Sequence, residues 1–259
     1  MKFAYLILAH DKPNQLRQLI STLTNKNDII FIHIDAKSYI DVFKSALSEF
    51  SDNVIFIKKR VQVKWGGFSM IEATFELFDE YLKSGFNADY IHLLSNSCLP
   101  IVSRNVIDDF FIKNNGKNYI EYHDLLPNKP KFSRISKSWD IDESWKFLGD
   151  KRIFNINIKY YDGSQWFSIT HDCLLFLYED FSKKEYFYDF FKFSQIPDEM
   201  YFQTVLMNSD FKDTIVNNNL RYIDWSENKH HPKILDGFDV KVALNKGCFW
   251  ARKFNLGID

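Results

Sequence analysis

The residues best equipped for chemistry fall in two short segments. Pro197-Asp198-Glu199 places two acids behind a proline. Proline at a first helical turn followed by acids is an ordinary helix start, because the free amides and the helix dipole favour negative charge. Glu199 has a second use, as a general base that takes the proton from a hydroxyl. A helix N-terminus lowers a carboxylate's pKa, so a base here needs burial or a neighbouring acid to raise it. The second segment, Phe249-Trp250-Ala251-Arg252-Lys253-Phe254, sets two cations between aromatics. It reads either as a solvated surface turn or as a device that neutralises a departing diphosphate. Arginine grips phosphate oxygens two at a time, and lysine acts as a point charge. No glycine-rich loop competes for that work, since Gly66-Gly67 lacks the spacing of a dinucleotide fingerprint or a P-loop.

A metal-based alternative rests on Asp140-Ile141-Asp142. An Asp-x-Asp pair just after a strand can hold a divalent cation, but here the polar Lys137-Ser138-Trp139 precedes it. The strand in the right place ends in Ser95-Asn96-Ser97, without a carboxylate. His33, His92, His123, His171 and the pair His230-His231 form no metal-binding pattern, and read as surface or core histidines. Cys98, Cys173 and Cys248 are far apart and odd in number, which fits a reducing, cytoplasmic setting.

The elements that must position these residues alternate strand and helix. Ala4–His10 is a continuous apolar run, the mark of a strand covered on both faces. Asp11-Lys12-Pro13 opens a helix with Leu16, Leu19, Ile20 and Leu23 on one side. Ile29–Ile34 is a second strand, ending at Asp35. Val42 to Phe50 forms a helical stripe, Val54–Ile57 a third strand, Ser69–Lys83 a long amphipathic helix, and Tyr90–Leu94 a fourth strand. This order predicts a mainly parallel sheet flanked by helices, with ligands bound beyond the carboxyl ends of the strands. His10, Asp35, Ser95 and Asn96 fall at those ends. Residues 118–165 are less regular and read as long loops over a site. Pro197-Asp198-Glu199 opens a helix through Leu206, Tyr222–Trp225 is a short strand, and a short helix lies near Val240–Asn245.

The chain has 259 residues, enough for one α/β domain. A net charge of -1 disfavours a general nucleic-acid binder. Aromatics reach 17 %, which suits sugar faces and bases as well as a Phe-rich core. The apolar N-terminus stops after seven residues at His10-Asp11-Lys12 with no cleavage site, so it reads as a buried strand and not as a signal peptide. No run is long enough for a membrane span.

Taken in order, several segments resemble the core-2/I-branching β-1,6-N-acetylglucosaminyltransferase and peptide O-xylosyltransferase family. They are Ala4–His10, Ile32-His33-Ile34-Asp35-Ala36-Lys37, Val63-Lys64-Trp65-Gly66-Gly67-Phe68-Ser69, Leu93-Leu94-Ser95 through Ile101, Gly163-Ser164-Gln165-Trp166-Phe167, Pro197-Asp198-Glu199, and Phe249 to Phe254. The resemblance implies a single GT-A-like domain, with a Rossmann-like nucleotide-binding half over 1–102 and an acceptor-binding half over 103–259. It also implies a UDP-sugar donor (GlcNAc first, xylose or glucose as alternatives), inversion, and no metal or other cofactor. Glu199 then maps to the catalytic base. Lys253, with Arg252, maps to the diphosphate site, and Asp35 to the uridine contact. His10, Trp65, Gly66, Gly67, Ser95 and Ser164 complete the donor set, the Gly66-Gly67 turn allowing close backbone approach. Glu121, Lys129, Arg134 and Trp225 map to the acceptor side. The family's Golgi anchor and many cysteines have no match here, which points to a bacterial, cytoplasmic enzyme of surface polysaccharide or glycolipid synthesis, with peripheral membrane contact at the inner face. A non-catalytic nucleotide- or carbohydrate-binding module is the competing class, although such a module needs no base.

Overall fold

The computed structural model describes residues 1–259 except Ser51, Asp150 and Lys151. The chain begins with β1 (Phe3–Ala9), α1 (Pro13–Leu23), β2 (Ile29–Ile34), α2 (Ile40–Ala46), β3 (Val54–Phe56), α3 (Ser69–Lys83), β4 (Tyr90–Ser95), β5 (Leu99–Pro100) and α4 (Arg104–Lys113). It continues through β6 (Asn118–Asp124), α5 (Ser133–Ser136), β7 (Ser138–Asp140), α6 (Ile141–Ser144), β8 (Lys146–Gly149), β9 (Tyr161–Thr170), α7 (His171–Lys183) and α8 (Tyr186–Lys192). It closes with α9 (Tyr201–Met207), β10 (Ile215–Val216), β11 (Arg221–Ile223), α10 (Gly237–Asn245) and β12 (Trp250–Arg252).

The main sheet runs β10-β6-β9-β4-β1-β2-β3, and β9 alone lies antiparallel to its neighbours. It is therefore the mainly parallel α/β sheet expected. Strand β1 shows why its sequence is apolar throughout. Ala4, Leu6 and Leu8 enter the core cluster built with α3, α7 and α9, while Phe3, Tyr5, Ile7 and Ala9 enter the cluster built with α1 and α4. Alternate side chains leave opposite faces of a strand, so a strand covered on both faces must be apolar at every position.

The region 118–165 is more regular than expected. Strand β6 joins the main sheet, β7 and β8 form a hairpin, and β9 begins at Tyr161. The reason is visible in β6. Asn118, Tyr119 and Ile120 are buried, but the strand then emerges toward solvent through the polar Glu121 to Asp124. Its second half carries no apolar alternation for a sequence reading to find. A small second sheet, β11-β12-β5, sits beside the main one and sets the height of the 252–253 segment.

Candidate active site

Parallel strands deliver their carboxyl ends to one edge, and a cleft of about 870 Å³ opens there. His10 and Asp11 follow β1, Asp35 follows β2, Ser95 ends β4, and Asn96 and Ser97 follow it. The loop after β2 is held by Arg60, which donates to the carbonyls of Ile34, Asp35 and Ser38 at 2.9, 2.8 and 2.7 Å. Asp35 itself is buried, accepts from Lys37 N at 2.9 Å and lies 3.5 Å from Lys37 Nζ. His33, one residue inside β2, accepts from Val61 N at 2.9 Å, and burial pulls its pKa down to about 4. It is a neutral core histidine in the cleft floor.

Strand β9 runs the other way, so its early residues Gly163 and Ser164 reach the same edge, beside Glu121 of β6. Gly163 is required there. A Cβ at that position would overlap Glu121 O, at the register shift between Ile120 and Tyr122. Glu121 accepts from Asn219 Nδ2 at 2.8 Å and lies 3.2 Å from His123 Nε2.

Glu199 lies in the cleft wall, but not at the start of an α-helix. Pro197–Glu199 is a separate turn of 3-10 helix, and Met200, at φ -140°, ψ -33°, breaks the chain before α9. The proximity of a helix N-terminus is therefore weaker than the sequence suggested. Arg134 Nη1 donates to Glu199 Oε2 at 2.7 Å. Burial first, and then the charge of Glu199, push the Asp198 carboxyl up to about 7, and Asp198 Oδ1 has no hydrogen-bond partner.

Arg252, the last residue of β12, and Lys253 after it also line the cleft. The Arg252 guanidinium stacks 4.6 Å above the Trp166 ring, its Nε is buried without a hydrogen-bond partner, and burial lowers its pKa. Arginine held this way has donors to spare for an anion. Arg221, fully enclosed beneath, donates to Ser168 Oγ and to the carbonyls of Leu93, Phe167 and Asn219, tying β4, β9 and β11 together.

The cleft thus brings together Glu199, His10, Asp35, Trp65, Gly66, Ser95, Ser164, Arg252, Lys253, Glu121, Arg134 and Trp225. Two residues of the sequence reading lie outside it. Gly67 serves packing instead of ligand approach, because a Cβ there would collide with the Asp142 carboxylate, which accepts from Ser69 N and Oγ. Lys129, just before Pro130, does not line the cleft, whereas Lys131 does and pairs with Asp162 at 2.6 Å. The signal was present: Lys131 and Arg134 are three apart across a helical turn, and so share a face. Trp225 follows β11 instead of ending it. Asp140 caps α6 by accepting from Glu143 N. Among the described residues, no cluster of three or more His, Cys, Asp or Glu could hold a metal ion. His230 and His231, read from sequence as surface or core residues, also line the cleft.

The sequence model of the family described as Core-2/I-branching enzyme matches residues 3–242, and the chain belongs to that family. Among its relatives is Xylosyltransferase 2 of Homo sapiens, 27 % identical over 234 residues, covering 87 % of this chain and 27 % of the relative. Xylosyltransferase 2 of Rattus norvegicus is 26 % identical over 236 residues with the same coverage, and Xylosyltransferase sqv-6 of Caenorhabditis elegans is 22 % identical over 272 residues, covering 95 % of this chain and 33 % of that protein. The chain therefore spans only a quarter to a third of these relatives. Solved structures of similar outline are mouse xyloside xylosyltransferase 1, apo form, at 14 % identity and TM-score 0.46, covering 100 % of this chain and 99 % of that one, and S. aureus TarS 1-349 with UDP-GlcNAc at 8 % and 0.42, covering 83 % and 55 %. Among the described residues, no helix is long and apolar enough to cross a membrane.

Proposed function

We propose that this chain is an inverting glycosyltransferase of GT-A-like fold that moves a sugar from a UDP-sugar to a glycan hydroxyl without a metal ion. One observation carries the reading: an acid and a pair of cations, Glu199 and Arg252-Lys253, face one cleft at the carboxyl ends of the strands. A binding module has no need of the acid. UDP lies across the strand ends, with uracil near His10 and Asp35 and the diphosphate at Arg252 and Lys253. Glu199 takes the proton of the acceptor hydroxyl as that oxygen bonds to the anomeric carbon. The bond from that carbon to the diphosphate breaks, and the two cations stabilise the charge on departing UDP. A single displacement inverts the anomeric carbon. Glu121, Arg134, Lys131 and Trp225 hold the acceptor.

GlcNAc is the first donor sugar by family. The relatives' name, xylosyltransferase, favours xylose as a second reading. The acceptor is a surface polysaccharide or glycolipid of a bacterium, met at the inner face of the membrane. Cys98, Cys173 and Cys248 are all free thiols, which supports a cytoplasmic setting. UDP release from a panel of UDP-GlcNAc, UDP-xylose and UDP-glucose, in the presence of EDTA, tests the reading. Turnover with one of them supports it. Binding of UDP without turnover of any donor favours a binding module, and strict dependence on Mn²⁺ sinks the metal-free mechanism.

A further inference from the structure

The β7–β8 hairpin and the segment after it present apolar side chains that neither the core nor the mechanism above uses. Trp145, Phe147 and Leu148 are exposed, and Ile153 and Ile156 stand 94 % and 95 % exposed. Apolar side chains left in water forgo the gain of burial, so a cluster of them marks a surface that meets something apolar. The chain around the isoleucines is pinned. The Arg152 guanidinium lies 3.9 Å over the Phe190 ring, donates to Ser194 Oγ at 2.7 Å and bonds the Phe190 carbonyl. Phe154 stacks on Phe132 with ring centroids 5.4 Å apart, and Asn155 N donates to the Tyr186 hydroxyl at 3.1 Å. Arg152 and Phe154 thus hold the body of the protein, while Ile153 between them is turned to solvent. The hairpin and this segment are neighbours, because Phe193 O accepts from Trp139 N of β7 at 3.0 Å and from Arg152 Nη1 at 3.4 Å.

The patch borders the cleft. Trp145 stacks on the cleft-lining Trp65, with ring centroids 6.1 Å apart. On α5, Arg134 reaches Glu199 while the next residue, Ile135, accepts from Arg152 Nη1 through its carbonyl at 3.4 Å. One short helix therefore supports both the acceptor side of the cleft and the patch. The charge around the patch has one sign. Residues 126–160 hold eight lysines and arginines against four acids, in a chain whose net charge is -1. Lys129, Lys137, Lys146 and Lys159 are exposed. Two of the acids are engaged internally, Asp142 by Ser69 N and Oγ, and Asp140 by Glu143 N. A second copy of this chain docked patch to patch would set that cationic surplus against itself. A protein partner needs a surface of matched shape, whereas here Ile153 and Ile156 protrude singly, with the polar Asn155 and Asn157 beside them. Separate apolar side chains among lysines suit the headgroup layer of an anionic bilayer, which takes the apolar groups between its lipids and attracts the cations.

We propose that the β7–β8 hairpin and the segment through Ile156 form a docking surface for an anionic lipid bilayer, which sets the acceptor side of the cleft against the membrane. The inference rests on the reading of the cleft as a transferase site with a membrane-borne acceptor, but docking is measured without any nucleotide. The test is co-flotation of the full chain with vesicles of equal parts phosphatidylglycerol and phosphatidylcholine, and with vesicles of phosphatidylcholine alone. The wild type should float with the anionic vesicles, much less with the neutral ones, and less as salt is raised. Leu148→Ser/Ile153→Ser/Ile156→Ser should bind the anionic vesicles about tenfold or more weakly. Its melting temperature and UDP affinity should match the wild type, which a misfolded variant would not achieve. Lys146→Glu should weaken anionic binding and leave the neutral vesicles unaffected. Equal flotation of the wild type and the triple variant, or no flotation of the wild type, overturns the docking surface alone. Self-association of the wild type that the triple variant lacks, without flotation, overturns it in favour of a second copy. No UDP binding by the wild type overturns the cleft reading instead.

Discussion

Arg134 Nη1 stands 2.7 Å from Glu199 Oε2, across 65 residues of sequence. The pairing occupies one carboxylate oxygen and leaves Oε1 for an acceptor hydroxyl. It is also aimed from the backbone, since Gln195 N donates to Arg134 O at 2.9 Å. A lysine at this position keeps the charge but loses the fixed planar fork. Arg134→Lys should lower kcat by about tenfold, as expected when an oriented base is loosened, while the melting temperature hardly moves. Steady-state kinetics beside a thermal melt checks this.

In the proposed mechanism Lys253 and Arg252 divide the work on the diphosphate. Lys253→Ala removes a point charge and should weaken UDP binding and kcat/KM by about ten- to a hundredfold, the range of a charge-assisted contact. Arg252→Lys cannot reproduce the stack on Trp166 and should lose activity although charge is kept. Calorimetry with UDP and initial rates at saturating donor separate the two effects.

Asp198 makes stability depend on pH in an unusual direction. Its pKa is raised in the folded protein to about 7, from an ordinary 3.8. A group raised on folding stabilises fully below its unfolded pKa, and that stability is lost as pH climbs through the folded value. The contribution of Asp198 to stability should therefore fall between about pH 4 and 7, by at most about 4 kcal/mol at 1.36 kcal/mol per unit. Asp198→Asn should flatten this slope and melt higher than the wild type at pH 8. Melting temperatures of both proteins across this range are the measurement.

Gly163→Ala should be severely destabilising, by about 3 kcal/mol or more, because the new Cβ overlaps Glu121 O and forces β6 and β9 apart. Chemical denaturation measures the loss. Gly149, whose Cβ would meet nothing, is the control site that should tolerate alanine far better.

Strands β1 and β2 and helices α1 and α3 were legible because burial on two faces, or on one helical stripe, writes itself into the apolar pattern. Leu16, Leu19, Ile20 and Leu23 are all buried on α1, as their spacing predicts. The ends of those strands then located His10, Asp35 and Ser95. What failed to show was local backbone and exposed chemistry. The break at Met200 leaves no mark in residue types, so the turn holding Glu199 read as the start of a longer helix. His230 and His231 belong to a loop without periodicity, whose stem is tied by Lys233 N to Asp224 O and by Leu235 N to Lys253 O. Gly67 read as a ligand-approach glycine because its partner, Asp142, lies far along the chain. Lys129 and Lys131 differ by which side of a proline turn they occupy.

In the proposed mechanism Glu199 removes the acceptor's proton while Arg252 and Lys253 receive the UDP. The most direct measurement is sugar transfer by Glu199→Gln beside the wild type, with UDP affinity measured on both. Glu199→Gln should lose transfer by about 10²- to 10⁴-fold, the range for a general base, with UDP affinity nearly unchanged. Transfer at the wild-type rate by Glu199→Gln would contradict it.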